Sequence, residues 1–233
     1  MRTLVAIYLI LFSYCCAAQR FLVNVSAGVG TYSMTDMKTL QSRLKEQLPA
    51  KATVTDEFPS YFNYEASGHW LAGKSFFTGV AVAYGSTGGR VQYQDYSGYI
   101  RADQLLKYVN LSAPVGFAIH PKEMLSIHFD LRPTYAFTIT DLKFDEEVLS
   151  LRESQTLRFT SSNIAVQPGL MLIRTIRQFA VHAQASYYVT VVKGKMYYKE
   201  NNEAFLIDTN NDPLYATWDG LRLSLGVSLF VGK

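Results

Sequence analysis

Residues 125–140 read Leu-Ser-Ile-His-Phe-Asp-Leu-Arg-Pro-Thr-Tyr-Ala-Phe-Thr-Ile-Thr, every odd position apolar and nearly every even one polar or small. Leu125, Ile127, Phe129, Leu131, Pro133, Tyr135, Phe137 and Ile139 make one row; Ser126, His128, Asp130, Arg132, Thr134, Ala136, Thr138 and Thr140 make the other. A period of two is that of a β-strand, whose side chains alternate between faces. Globular strands run about 5–6 residues, whereas a tilted strand needs about 9–11 to cross a bilayer. This run exceeds both lengths, and its polar row carries charges that a sandwich core would exclude. The pattern predicts a strand with lipid on one side and a polar lumen on the other.

The same alternation recurs seven more times, over 21–32, 58–71, 76–84, 105–119, 164–172, 179–192 and 221–231. In the second of these, Phe58, Phe62, Tyr64 and Trp70 are expected to face lipid, with Tyr61, Asn63, Glu65, Ser67 and His69 inside. The connections sort into two kinds. Tight turns are expected at 72–74, 120–123 and 175–178, and long loops at 33–52, 85–104, 141–163 and 193–219. Short periplasmic turns, long external loops and an even strand number are the marks of bacterial outer-membrane barrels. The expected fold class is therefore all-β: an eight-stranded antiparallel transmembrane β-barrel of up-and-down meander order, in the outer membrane with both termini periplasmic. A soluble lipocalin-type barrel would invert the pattern, apolar inside and polar outside, and the rows are too uniform for that.

The amino terminus sets the compartment. Arg2, an apolar run from Leu4 to Phe12, and Cys16, Ala17 and Ala18 ahead of Gln19 make a secretory signal peptide over 1–18, leaving 19–233 as the barrel domain. The apolar run is shorter than the roughly 20 residues a spanning helix needs. Cleavage after Ala18 removes Cys15 and Cys16 and leaves no thiol for disulfides, metal or catalysis. Lipidation of Cys15 or Cys16 is the alternative, disfavoured because Phe12 and Tyr14 crowd the approach. With 22 basic and 19 acidic residues the formal charge is +3, and nothing in it argues for nucleic acid. The 16 Tyr and 14 Phe suit aromatic girdles at two membrane interfaces.

In three places the chain resembles the small, porin-like outer-membrane β-barrel proteins of the Bacteroidetes: residues 28–38 (Gly-Val-Gly-Thr-Tyr-Ser-Met-Thr-Asp-Met-Lys), residues 86–98 around Gly88, Gly89 and Arg90, and the last strand ending Leu229, Phe230, Val231, Gly232, Lys233. The likeness runs over the whole mature chain and implies the barrel fold without one specific task. An aromatic near the end of the last strand looks like the signal read by the barrel-assembly machinery, although here the chain ends in Lys233.

By parity the lumen collects Glu65, His69, His128, Asp130, Arg132, His182, Gln184 and Arg222. Charges there must be paired or hydrated. Eight strands enclose a space that side chains just fill, so a polar plug is the first reading. A narrow ion or small-solute path through His69, His128 and His182 is the alternative, and a lipid-modifying enzyme a third. No catalytic residue is expected. The histidines point inward or, for His120, sit in a turn; no Gly-x-Ser-x-Gly elbow occurs, and Ser161 and Ser162 have no histidine nearby.

No cofactor or metal is expected. Asp208 to Asp212 opens like a calcium loop, but Pro213 stands where the turn glycine belongs, so a solvated turn is the better reading. The glycosylation patterns at Asn24 and Asn110 fall inside strands, and Gly28 and Gly30 lack the third glycine of a dinucleotide site.

In the first loop, Ser33 and Asp36 stand in capping-box spacing before Met37, Leu40, Leu44 and Leu48, with Pro49 as the stop, which predicts a short amphipathic helix over the barrel rim. Residues 142–159 mix apolar and acidic residues, so the third hairpin is expected to continue as strands beyond the lipid. Exposed edges there suit a surface-binding role. The expected partners are outer-membrane lipid, the assembly machinery during biogenesis, and an extracellular protein or glycan at the loops; the protein is expected to be a monomer.

Overall fold

In a computed structural model of the chain the described residues are 20–48, 52–72, 75–96, 98–122, 124–148, 151–176, 179–208 and 210–231. The expected signal peptide with Cys15 and Cys16, the helix stop at Pro49, turn residues Gly73, Lys74, Glu123, Arg177 and Gln178, and terminal Gly232 and Lys233 lie outside them.

Among the described residues the elements run β1 (Arg20–Gly30), α1 (Thr35–Gln47), β2 (Thr53–Glu57), β3 (Tyr61–Ala72), β4 (Phe76–Asp95), β5 (Gly98–Ser112) and β6 (Val115–Lys122). They continue through β7 (Leu125–Val148), β8 (Leu151–Ile176), β9 (Phe179–Val192), β10 (Tyr197–Tyr198), β11 (Asn201–Phe205) and β12 (Gly220–Val231). The strands form one sheet in which the pairings are antiparallel. Following them, β1 joins β3, then β4, β5, β7, β8, β9 and β12, and β12 returns to β1 with Phe21 opposite Val231 and Gly30 opposite Arg222. β6 continues the line of β5 after Ala113 and Pro114, pairing with β7 and the start of β4. The break falls at proline, which has no N–H for the ladder; its carbonyl still accepts from Gly79 N at 2.9 Å.

Parity survives almost intact. Outward rows include Val23, Val25 and Val29 on β1, Val80, Val82 and Tyr84 on β4, and Leu221, Leu223, Leu225 and Val227 on β12, all exposed. Two aromatic rows run across the strands. Tyr64 faces Tyr84, which faces Val109, which faces Phe137. Lower down Phe76 faces Phe117, which faces Phe129. From Phe76 to Tyr84, and from Phe129 to Phe137, the chain climbs about 26 Å along the strand. At the roughly 35–45° tilt of such strands this is about 20 Å of height, within the ~25 Å apolar band of an outer-membrane barrel.

Four expectations are corrected. Segment 85–104 is a β-hairpin rather than a loop, because the ladder from Gly85↔Tyr108 to Asp95↔Gly98 continues unbroken above the aromatic row. Phe58 lies outside β3 in a left-handed conformation (φ 47°) and is buried under the helix, while Tyr61 is exposed rather than inward. The turn expected at His120 is the end of β6. No capping box forms: Met34 takes the N-cap position in the left-handed region (φ 46°) without a side-chain cap, and Asp36 instead accepts from Tyr215 N at 3.0 Å.

Loop 193–219 also gains structure. β10 pairs with β8 above the band and β11 pairs with β10, while Leu214, Ala216 and Trp218 are buried in the cluster at the same end. Asp208 accepts from the backbone of Asn210 (2.7 Å) and Asp212 (2.9 Å), closing the turn with its own carboxylate.

Candidate functional site

Residues i and i+2 of a strand share a face, so Asp130 and Arg132 on β7 reach into the same layer of the lumen. Arg132 donates from Nε and Nη2 to Asp130 Oδ2 at 2.8 and 2.6 Å, and from Nη1 to Glu65 Oε1 on β3 at 2.7 Å. With its amide oxygen turned to the guanidinium, Gln184 on β9 accepts from Nη1 and Nη2 at 2.9 and 2.8 Å. Arg132 and Asp130 are buried and Glu65 half-buried. The three partners come from three strands, β7, β3 and β9, so the cation is held from across the lumen. Gly169 on β8 makes room, because a side chain there would collide with Asp130.

Below this layer the His69 ring stacks on Phe77 at 5.2 Å, and Phe77 meets His128 at 5.0 Å. Asn24 donates to Ser67 at 3.0 Å and lies 3.4 Å from His69 Nδ1. Leu22, Met171, Ile173 and Ala180 close this end with an apolar cluster.

Arg222 is buried too, but it stands apart from the ion-pair layer expected to contain it. Its guanidinium lies between the rings of Tyr108 (4.8 Å) and Tyr188 (4.3 Å), a two-sided cation–π contact. Gly85 permits this, since a side chain there would run into the Tyr108 ring. Above, Trp218 meets Tyr108 edge-on at 4.5 Å and Tyr32 at 5.1 Å, and donates from Nε1 to Thr138 Oγ1 at 2.9 Å. The helix packs at the same end. Met34, Met37 and Phe58 join Met196, Leu214 and Trp218 in one buried cluster, and Gln41 Nε2 donates to the Asp56 carbonyl at 2.6 Å.

Alternation alone placed the eight lumen residues inside, and the ladder register decides which of them meet. Trp218 gave no periodic signal, because it lies in a loop, while Tyr32 fell on the inward parity of segment 21–32 but stands just beyond the end of β1. Tyr108 and Tyr188 fell on inward positions but carry no charge that would have singled them out. One further pair looks chemical: His182 Nδ1 lies 2.8 Å from Ser228 Oγ on the neighbouring strand. A nucleophile and base need a space for the reacting carbonyl, yet both residues are buried and the imidazole fills the space over Gly226. Ser162 bonds to Tyr135 at 2.8 Å on the outer face, and Asn24 and Asn110 are buried inside the lumen. Among the described residues no group of three or more His, Asp or Glu is gathered to hold a metal ion.

Beyond the upper aromatic row the outer wall is charged. Arg90 grips Asp103 with two bonds of 2.5 and 3.2 Å. Arg101 reaches Asp103 at 3.4 Å and Asp145 at 2.6 Å, and Lys143 reaches Asp145 at 2.8 Å. Hydrogen bonds from Lys143, Ser154 and Arg101 hold the Asp145 carboxyl well below the usual carboxylate range. Arg158 binds Asp141 at 2.5 and 3.2 Å.

No protein-family model matches the chain, and no curated protein matches it. Among solved structures it is similar to Ail, the attachment invasion locus protein of Yersinia pestis, crystallised with the heparin analogue sucrose octasulfate, at 14% identity and a TM-score of 0.36. That alignment covers 91% of this chain and 98% of that one. Ail alone aligns at 14% identity and a TM-score of 0.37, over 92% and 99% of the two chains. Neisserial surface protein A aligns at 9% identity and a TM-score of 0.37, over 90% and 96%.

Proposed function

We propose that the protein is an integral outer-membrane β-barrel of eight crossing strands, β5 and β6 counted as one, with a lumen plugged by side chains, both ends on the periplasmic side, and the long hairpins used for surface contact. One observation carries this reading: the pairing circuit returns to β1 with apolar residues outside and polar ones inside. Each outward Val, Leu or Phe left in water forgoes about 1.5–3 kcal/mol. Soluble monomers rarely expose contiguous apolar patches larger than about a few hundred Å², so an apolar wall running round the circuit calls for a lipid surround. The lumen is assigned a structural role because Arg132 is held by Asp130, Glu65 and Gln184, Arg222 by the rings of Tyr108 and Tyr188, and its upper end is covered by Trp218 and α1.

The contact role is assigned to the hairpin of β7 and β8. Above Arg158, whose carbonyl accepts from Lys199 N at 2.9 Å, residues 151–157 of β8 pair only with β7 among the described residues. Since backbone groups alternate between the two sides of a strand, the side of Arg158, Thr156, Ser154 and Arg152 faces outward as an edge that an extended segment of another protein can join.

The test combines three readings on the refolded mature chain and on cells. Heat-modifiable migration and silence in planar bilayers are expected, together with labelling of a cysteine placed at Tyr96, fully exposed at the tip of the β4–β5 hairpin, by a membrane-impermeant maleimide on intact cells. Reproducible conductance steps would replace the plug with a channel. A tip labelled only after lysis would reverse the orientation.

A further inference from the structure

A groove of ≈ 600 Å³ lies on the outer wall, with Thr156 of β8 among the residues that line it. Its floor is the outward face of β4 and β5 at Ser86, Gly88 and Leu105; the segment bearing Pro59 and Tyr61 forms one wall, and Asp141 and Lys143 of β7 the other. Gly88 pairs with Leu105 and contributes no side chain, which leaves the floor deep. The height of the groove is fixed by the ladder. Ser86 stands two residues beyond Tyr84 of the upper aromatic row and Arg90 six, roughly 7 and 20 Å along the strand. In the membrane reading this is the headgroup layer of the outer leaflet.

The lining combines two chemistries. Arg90, Asp103 and Lys143 belong to the ion-pair chain described above, so their charges are already largely compensated and their donors and acceptors are fixed in place. Such a rim offers orientation more than attraction for a bare phosphate. Between these charges lie two apolar surfaces, Leu105 (40% exposed) and Tyr61 (50% exposed). A mainly apolar concavity with a few fixed polar groups is the usual form of a small-molecule site. A ring with hydroxyls around its edge and C–H groups on its face fits both parts.

We propose that this groove binds the saccharide part of a glycolipid of the outer leaflet. The proposal rests on the outer-membrane reading, since the source of the saccharide is the leaflet around the barrel. The position just above Tyr84 and Phe137 commits it to that source: a glycolipid whose acyl chains lie along the apolar band presents its first sugars at Ser86 and Leu105.

The experiment uses refolded full-length protein in detergent micelles, with two probes, rough lipopolysaccharide and its water-soluble deacylated core saccharide, and phosphatidylglycerol as competitor. The expected result is saturable binding of both probes, tighter for the acylated one, and no competition by phosphatidylglycerol. The double variant Tyr61→Ala/Leu105→Ser is expected to weaken binding about tenfold, the size of losing one aromatic platform, and to retain heat-modifiable migration. Ser86→Tyr, which fills the floor, does the same from the opposite direction, and Tyr96→Ala at the remote tip leaves affinity unchanged. Absence of saturable saccharide binding, or binding unchanged in both groove variants, overturns the proposal. Equal affinity with and without acyl chains overturns the leaflet as its source. A wild-type chain that shows no heat-modifiable form overturns the outer-membrane reading itself, and this outcome is read before any probe is added.

Discussion

Arg132 holds Asp130 from two residues along the same strand, with both Nε and Nη2 on one carboxylate oxygen at 2.8 and 2.6 Å. Removing one partner of a buried ion pair strands the other, at about 3–5 kcal/mol. Arg132→Met leaves Asp130 and Glu65 facing one another without their cation. It is expected to lower stability by about that amount, read from the urea midpoint of the heat-modifiable band. The same variant is expected to stay electrically silent; a folded barrel that begins to conduct would favour the channel.

Trp218 offers a view of the covered mouth. The chain has 2 Trp, so Trp70→Phe leaves Trp218 as the reporter. Buried between Tyr32 and Tyr108, it is expected to emit at short wavelength. Trp218→Phe leaves the Thr138 hydroxyl buried without its donor and is expected to cost about 1–3 kcal/mol, measured by the same urea titration. Emission typical of a hydrated indole in the Trp70→Phe variant would show that the mouth is open.

Phe58 is buried with φ 47°, a region costing an L residue about 1–2 kcal/mol that glycine does not incur. Phe58→Gly is therefore expected to destabilise the cover less than Phe58→Ala by about 1 kcal/mol, though it removes one more carbon. Hydrogen exchange of α1 in the two variants gives the comparison. Faster exchange in Phe58→Gly than in Phe58→Ala would contradict the strained conformation.

Asp145 sets the acid response of the β7–β8 hairpin. Hydrogen bonds from Lys143, then Ser154 and Arg101, depress its folded value. A depressed carboxylate contributes stability above its unfolded pKa of about 3.9 and loses it as pH falls through the folded value. The hairpin is thus expected to keep its amide protection at pH 5 and lose it progressively below about pH 4. Asp145→Asn removes this acid-dependent loss. Protection that falls already between pH 7 and 5 would point to another group.

The edge of β8 gives a backbone test. Proline at Arg152 deletes a donor on the free side while sparing the ladder to β7. It is expected to leave folding and bilayer silence unchanged and to reduce crosslinking of an added extended peptide at a reporter cysteine on Thr156, exposed on the same edge. Unchanged crosslinking would remove strand addition from the account.

The two-residue period by itself determined the strands, their faces and the inward set from Glu65 to Arg222, because alternation is a local property of the chain. It also placed Asp130 beside Arg132. Which distant residues meet them was decided by tertiary structure. Ladder register brings Glu65 and Gln184 to one guanidinium and sends Arg222 to Tyr108 and Tyr188 instead, and register is set by closure of the whole sheet rather than by any one segment. The hairpin over 85–104 escaped notice because its outward row holds Gly88, Arg90 and Asp103, residues that read as loop where lipid no longer demands apolar ones. Phe58, Met34 and Trp218 took their places only once the barrel mouth existed to be covered, since their burial depends on long-range packing that leaves no period in the sequence.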